Sequence, residues 1–162
     1  NPALQLKVIT EYIRDQRMND ILEEEKYDYV IDAIDTLSPK IFLIYQSLML
    51  KLKVVSSMGA GGKFDPCTIR VADISETNFC NLARILRKKL HKLGVRDGFL
   101  AVYSPEVIDK DKIIRESDER NKASKVGTIS YMPAAFGITC ASVVIRELSG
   151  MKASQASGEI KN

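Results

Sequence analysis

The residues best suited to chemistry gather in Val30 to Lys40, VIDAIDTLSPK, where two aspartates lie three residues apart in an otherwise apolar run that stops at Ser-Pro. A carboxylate inside a packed sheet is costly unless something satisfies it, so neither aspartate is expected to be idle. Side chains alternate along a strand, so Asp32 and Asp35 cannot share one face of a regular strand and do not form an acid/base dyad there. Asp35 falls at the carboxyl end of the run, just before a helix, where open parallel sheets take their ligands. A carboxylate at that point could hold a magnesium ion on nucleotide phosphates, and Lys40, one turn into the helix, could neutralise an anion nearby. The competing reading gives Asp35 or Thr36 only a helix-capping role. Asp32 is expected to bond to backbone or to a lysine within the sheet.

Three further groups bear on function. In SSMGAGGKFDP, Gly59, Gly61 and Gly62 follow a strand, but Lys63 to Pro66 lead into a turn rather than the helix that a phosphate loop needs. Close passage of the chain by a ligand or a neighbouring strand is favoured over direct phosphate cradling. From Asn81 to Arg96 there is no acid, while Arg84, Arg87, Lys88, Lys89, Lys92 and Arg96 lie opposite an apolar face of Ile85, Leu86, Leu90 and Leu93. That face could grip RNA phosphates or simply be solvated. Cys67, Cys80 and Cys140 are odd in number and widely spaced, and His91 is the only histidine, so three reduced thiols are expected in place of a disulfide framework or a zinc site. Cys80 alone precedes a basic helix whose field could lower its pKa, yet a nucleophilic role is not expected.

The elements that must position these groups follow from periodicity. Leu4, Leu6 and Val8 alternate as a strand, and Tyr12, Ile13, Met18, Ile21 and Leu22 recur at near-helical spacing. Tyr27 to Ile34 reads as a strand buried on both faces, Pro39 to Leu52 as a helix with its proline in the first turn, and Lys53 to Ser57 as a third strand. This β, α, β, α, β succession predicts a parallel sheet of the doubly wound α/β class. Strands at Thr68 to Ala72 and Phe99 to Tyr103, around a helix at Leu82 to Leu93, predict that the sheet becomes mixed. Residues 105–127 form a long, charged and polar loop, Ala134 to Leu148 a last helix, and 151–162 a disordered tail.

With 162 residues and a net charge of +3 the chain fits one domain with a sizeable core. No apolar run is long enough to cross a bilayer and the start lacks the pattern of a signal peptide, so a cytoplasmic protein without membrane contact is expected. The opening on Asn-Pro, without an initiator Met, reads as an excerpt from a longer chain.

Taken in order, YDYVIDAIDTLSPK, VVSSMGAGGKFDP, TIRVADISET, LARILRKKLHKLGV, VYSPE, GTISYMPAAFG and ASVVIREL resemble the E1-like adenylating superfamily of ubiquitin-activating and molybdopterin- or thiamine-pathway enzymes. Within it, they are most similar to the branch that dehydrates threonylcarbamoyladenosine in tRNA. The resemblance implies a Rossmann-like three-layer α/β fold whose nucleotide-binding half begins before Asn1, so residues 1–150 would be the carboxy-terminal part of one adenylation domain. It further implies ATP-dependent activation of a carboxylate, with Asp35 matching the superfamily's aspartate on Mg-ATP and Lys40 as a secondary catalytic candidate. Gly59 and Gly61 would border the cofactor. The basic helix residues Arg84, Arg87, Lys88, Lys89 and Lys92, and the loop residues Arg115 and Arg120, would meet tRNA. A homodimer is implied, with a sulfur-transfer or cysteine desulfurase system as a further partner. The alternative within the superfamily is adenylation of the C-terminus of a ubiquitin-like or sulfur-carrier protein. The Cys-x-x-Cys pairs of many carrier-activating relatives are absent from the sequence, which argues against that branch.

Overall fold

The computed structural model describes residues 1–107, 113–114 and 125–151. In chain order the elements are α1 (Gln16–Glu24), β1 (Val30–Asp32), α2 (Leu37–Met49), β2 (Val54–Ser57), β3 (Arg70–Asp73), α3 (Asn81–Lys92), β4 (Leu100–Tyr103), β5 (Ile113–Ile114), β6 (Lys125–Val126) and α4 (Tyr131–Leu148). The main sheet has the order β1-β2-β4-β3. β1, β2 and β4 run parallel, and β3 pairs antiparallel with β4. The mixed sheet predicted from the second half of the sequence is therefore present. β5 and β6 pair antiparallel as a separate two-stranded sheet.

Alternation along the strands builds two cores. Val54, Ala101 and Tyr103 face one side and pack with Met18 and Leu22 of α1, Ile44 of α2, and Ala83, Leu86 and Leu90 of α3. Val55 and Val102 face the other side and meet Met132, Phe136, Cys140 and Val143 of α4. Helices thus cover both faces of the sheet, the three-layer α/β arrangement. Helix ends are set by local backbone chemistry. At the end of α3 Gly94 takes φ 85°, and the amide of Val95 reaches back to the carbonyl of Leu90 at 3.0 Å, a closing turn that favours glycine. α2 closes the same way, with Lys51 at φ 59° and the Leu52 amide on the Ser47 carbonyl at 2.9 Å.

Two expectations fail for the same reason. Leu4, Leu6 and Val8 form no strand and are 65%, 74% and 68% exposed, since no strand among the described residues pairs with them. β1 is the strand at one end of the sheet, and α4 packs over β2 and β4 beside it, so Ile31 is 49% exposed and the strand is not buried on both faces. Alternation identifies a strand's faces, but not whether a neighbour covers them. Most of the predicted loop 105–127 and nearly all of the tail 151–162 lie outside the described residues.

Candidate functional site

The two aspartates part as strand geometry requires. Register sets Asp32 of β1 directly beside Ser56 of β2, and Ser56 Oγ donates to Asp32 Oδ2 at 2.6 Å. The other carboxylate oxygen, Oδ1, accepts the backbone amide of Ile34 at 3.1 Å. Lys40, on the first turns of α2, turns inward beneath the sheet. Its Nζ pairs with Asp32 Oδ2 at 2.6 Å and donates to the carbonyls of Ser57 at 2.7 Å and Ile34 at 3.3 Å. Both charged side chains are 0% exposed. Asp32 therefore bonds to backbone, as one of its two expected alternatives had it, and also to a lysine that comes from α2 and not from the sheet. Lys40 is not the anion-neutralising group suggested by the sequence, because its ammonium is enclosed by a carboxylate and two carbonyls and does not reach solvent.

Asp35 is exposed in the loop between β1 and α2. Because β1 and β2 are parallel, this loop and the one after Ser57 leave the sheet at the same carboxyl edge. Thr36 occupies the N-cap position of α2 but its side chain makes no capping bond, so that part of the capping reading does not hold. Ile34 and Thr36, the chain neighbours of Asp35, are in the wall of an apolar groove of about 300 Å³ that also includes Tyr12, Ile13, Pro39 and Leu43. No cluster of three or more His, Cys, Asp or Glu able to hold a metal occurs among the described residues. An exposed carboxylate such as Asp35 fits magnesium, a hard ion commonly bound through one or two carboxylates plus substrate phosphates.

The glycine turn is organised differently from the sequence expectation. A Cβ added at Gly59 would lie 3.9 Å from Leu82 Cδ2, an ordinary contact, so a neighbouring strand does not explain that glycine. Gly62 does require its freedom, with φ 69°, and its amide donates to the carbonyl of Gly127 at 2.8 Å. Gly59 and Gly61 follow the carboxyl end of β2, on the sheet edge that carries Asp35.

Beyond them stands a cluster that sequence reasoning missed. Lys63 is 3% exposed, and its Nζ donates to the carbonyls of Ser104 at 3.2 Å and of Glu106. Burial pushes its pKa down, partly opposed by the nearby Cys80 and Glu106. The Glu106 carboxylate accepts the amides of Phe64 and Asp65 on Oε1, and the hydroxyls of Ser104 and Thr68 on Oε2 at 2.8 and 3.1 Å. Burial would raise its pKa, but the hydrogen bonds from Ser104, the two amides and Thr68 hold it below the usual carboxylate range. Tyr131 Oη donates to the carbonyl of Phe64 at 2.7 Å and ties α4 to the same turn. The available signals were a lysine directly after Gly-Gly and an acid two residues beyond a serine at a strand end.

The basic helix divides into two sets. Arg87 Nη1 donates to the carbonyls of Ile74 at 3.2 Å and Thr77 at 2.9 Å, and to Thr77 Oγ1, clasping the turn before α3. Its guanidinium is engaged in the fold, contrary to its expected place on an RNA-facing surface. Arg84, Lys88, Lys89 and Lys92 are exposed, and with Ile85 they line a shallow polar recess of about 360 Å³. Arg84 is oriented by its Nη2 donating to Asn81 Oδ1 at 2.7 Å. Arg115 and Arg120 lie outside the described residues. Cys80, at the N-cap of α3, and Cys140 are buried, and burial pushes the Cys140 thiol up.

Comparison with known proteins gives the family. The ThiF family model matches residues 1–162. A tRNA threonylcarbamoyladenosine dehydratase of Bacillus subtilis is 34% identical over 128 residues, covering 75% of this chain and 50% of the relative. Dehydratase 1 of Saccharomyces cerevisiae is 30% identical over 149 residues, covering 85% of this chain and 34% of its own. Among solved structures, the Escherichia coli tRNA N6-threonylcarbamoyladenosine dehydratase in complex with ATP superposes with a TM-score of 0.78 at 27% identity, over 93% of this chain and 59% of that one. The chain spans about a third to about 60% of the length of these relatives. Its mixed sheet and helical layers agree with the structural match, and the chain belongs to the ThiF family.

Proposed function

We propose that the protein containing this chain is an ATP-dependent tRNA-modifying dehydratase that closes the threonylcarbamoyl group of a modified adenosine into a ring. The observation that carries this reading is the exposed Asp35 at the carboxyl edge of a parallel sheet, in a chain that superposes on an ATP-bound dehydratase. A carboxylate is a poor electrophile, and ATP supplies the leaving group that its oxygen lacks. Asp35 would hold magnesium on the phosphates, offsetting their charge. The apolar groove lined by Tyr12, Ile13, Ile34 and Leu43 would take the base beside it, and Gly59 and Gly61 would border the nucleotide.

The exposed Arg84, Lys88, Lys89 and Lys92 would hold tRNA phosphates, a contribution that salt weakens in proportion to the charges neutralised. Homodimerisation belongs to the same reading. On α4, Ile138 and Ile145 lie two helical turns apart on one face and are 71% and 61% exposed, with Leu148 at 54%, which supports a covered surface there. A cytoplasmic setting and a sulfur-transfer partner complete it. Among the described residues no helix is long and apolar enough to cross a membrane.

The test incubates the full-length protein with ATP and threonylcarbamoylated tRNA and follows the nucleoside mass. Loss of one water is expected, and it should be abolished by Asp35→Ala. A protein that binds ATP but leaves the mass unchanged would overturn the proposal, and AMP release that depends on a protein with a Gly-Gly tail would replace it with the carrier-activating alternative. The isolated segment should not turn over ATP.

A further inference from the structure

We propose that the buried cluster of Asp32, Lys40 and Ser56 is a positioning device for Asp35, an inference that rests on the metal-nucleotide reading of that residue. Ile34 is the single residue between the end of the loop's first step and Asp35, and the cluster grips it on both sides. Its amide donates to Asp32 Oδ1 at 3.1 Å, and its carbonyl accepts from Lys40 Nζ at 3.3 Å. These atoms belong to the two successive peptide groups that flank Ile34, so both planes are held and the direction in which the chain enters Asp35 is set. The same ammonium bonds the Ser57 carbonyl at 2.7 Å, and the same carboxylate takes the Ser56 hydroxyl at 2.6 Å. Asp35 is therefore referenced to the carboxyl end of β2, from which the glycine turn departs.

Stability alone does not account for such a cluster. A fully buried ion pair loses its hydration, and well-packed apolar side chains of similar volume are often at least as stabilising. An ion pair does what apolar packing does not: it directs hydrogen bonds at chosen backbone atoms. A carboxylate that must meet a metal-phosphate complex depends on such placement, since displacement by about 1 Å can cost about a hundredfold in rate.

The experiment uses the full-length protein and reads the magnesium concentration for half-maximal ATP turnover, the rate, and the urea midpoint. The apolar triple variant Asp32→Val/Lys40→Met/Ser56→Ala removes the grip on Ile34 without leaving an unpaired charge. Its urea midpoint is expected to stay near that of the parent, while the magnesium midpoint rises and the rate falls, each by about tenfold or more. A folded triple variant with the parent's magnesium dependence and rate would overturn the proposal. If the triple variant does not fold, Ser56→Ala alone decides. It leaves the ion pair in place, and it should accelerate hydrogen exchange at the Ile34 amide and raise the magnesium midpoint about twofold or more, about 0.4 kcal/mol in RT ln terms. No change in either would refute the role. An Asp35→Ala variant with unaltered turnover would instead remove the underlying reading of the site, an outcome distinct from failure of the clasp.

Discussion

Two buried lysines stand at the roots of two neighbouring turns, and they are held in different ways. Lys40 meets a carboxylate of equal burial, and the pair is completed by a serine hydroxyl and backbone groups. Among the described residues Lys63 bonds the carbonyls of Ser104 and Glu106, while the Glu106 carboxylate itself is spent on the amides and hydroxyls of the same turn. Carbonyl dipoles solvate an ammonium less completely than an opposite charge does, and burial accordingly lowers the proton affinity of Lys63. The first arrangement is a closed ion pair in which neither charge can be removed alone without cost. The second is a looser strap joining β4 to the glycine turn, and its parts are separable.

The sharpest way to break this contrast is Lys40→Ala. It leaves the Asp32 carboxylate buried and uncompensated, and the loss of stability should be about 3–5 kcal/mol, seen as a fall in urea midpoint. Lys63→Met should cost much less, about 1 kcal/mol, because two carbonyls lose a donor while the cost of burying a charge disappears. Its distinguishing sign is in pH. The folded state binds the Lys63 proton more weakly than the unfolded chain, so the parent gains stability as pH rises toward the ordinary value of 10.5. The variant should lack that gain, which unfolding at about pH 8 and about pH 10 would measure. Equal losses at the two lysines would erase the distinction.

Glu106→Gln should have the smallest effect at neutral pH, about 1 kcal/mol or less, since an amide oxygen still accepts part of the network. The depressed carboxyl of Glu106 supplies stability that is complete above its ordinary value of 4.5 and is lost as pH falls through the folded value. The glutamine variant should therefore show a shallower loss in acid, measured by unfolding on either side of 4.5.

How much of this was legible depended on whether the cause was local. The separation of Asp32 from Asp35 follows from strand parity, and the lysine partner of Asp32 was expected in kind. Its identity was not, because Lys40 reaches Asp32 only after α2 folds back along the sheet, and the same residue read locally is a solvent-facing cation. Arg84 and Arg87 lie on one basic helix, and sequence alone treats them alike. They are separated by the packing of Ala83, Leu86 and Leu90, which turns Arg87 toward the Thr77 turn. The exposed face of β1 depended on strand order, which periodicity does not contain. Glu106 was missed because its partners lie about forty residues earlier, at Phe64, Asp65 and Thr68.

The strap has an evolutionary consequence. The chain leaves the glycine turn at Glu106, bonded to Phe64 and Asp65, and returns to it at Gly127, bonded to Gly62, with Tyr131 fastened to Phe64 just beyond. Departure and return are thus moored side by side on one short segment. A lineage that alters the segment from Gly62 to Asp65 would thus disturb both moorings at once, which makes that short segment one of the least free to vary.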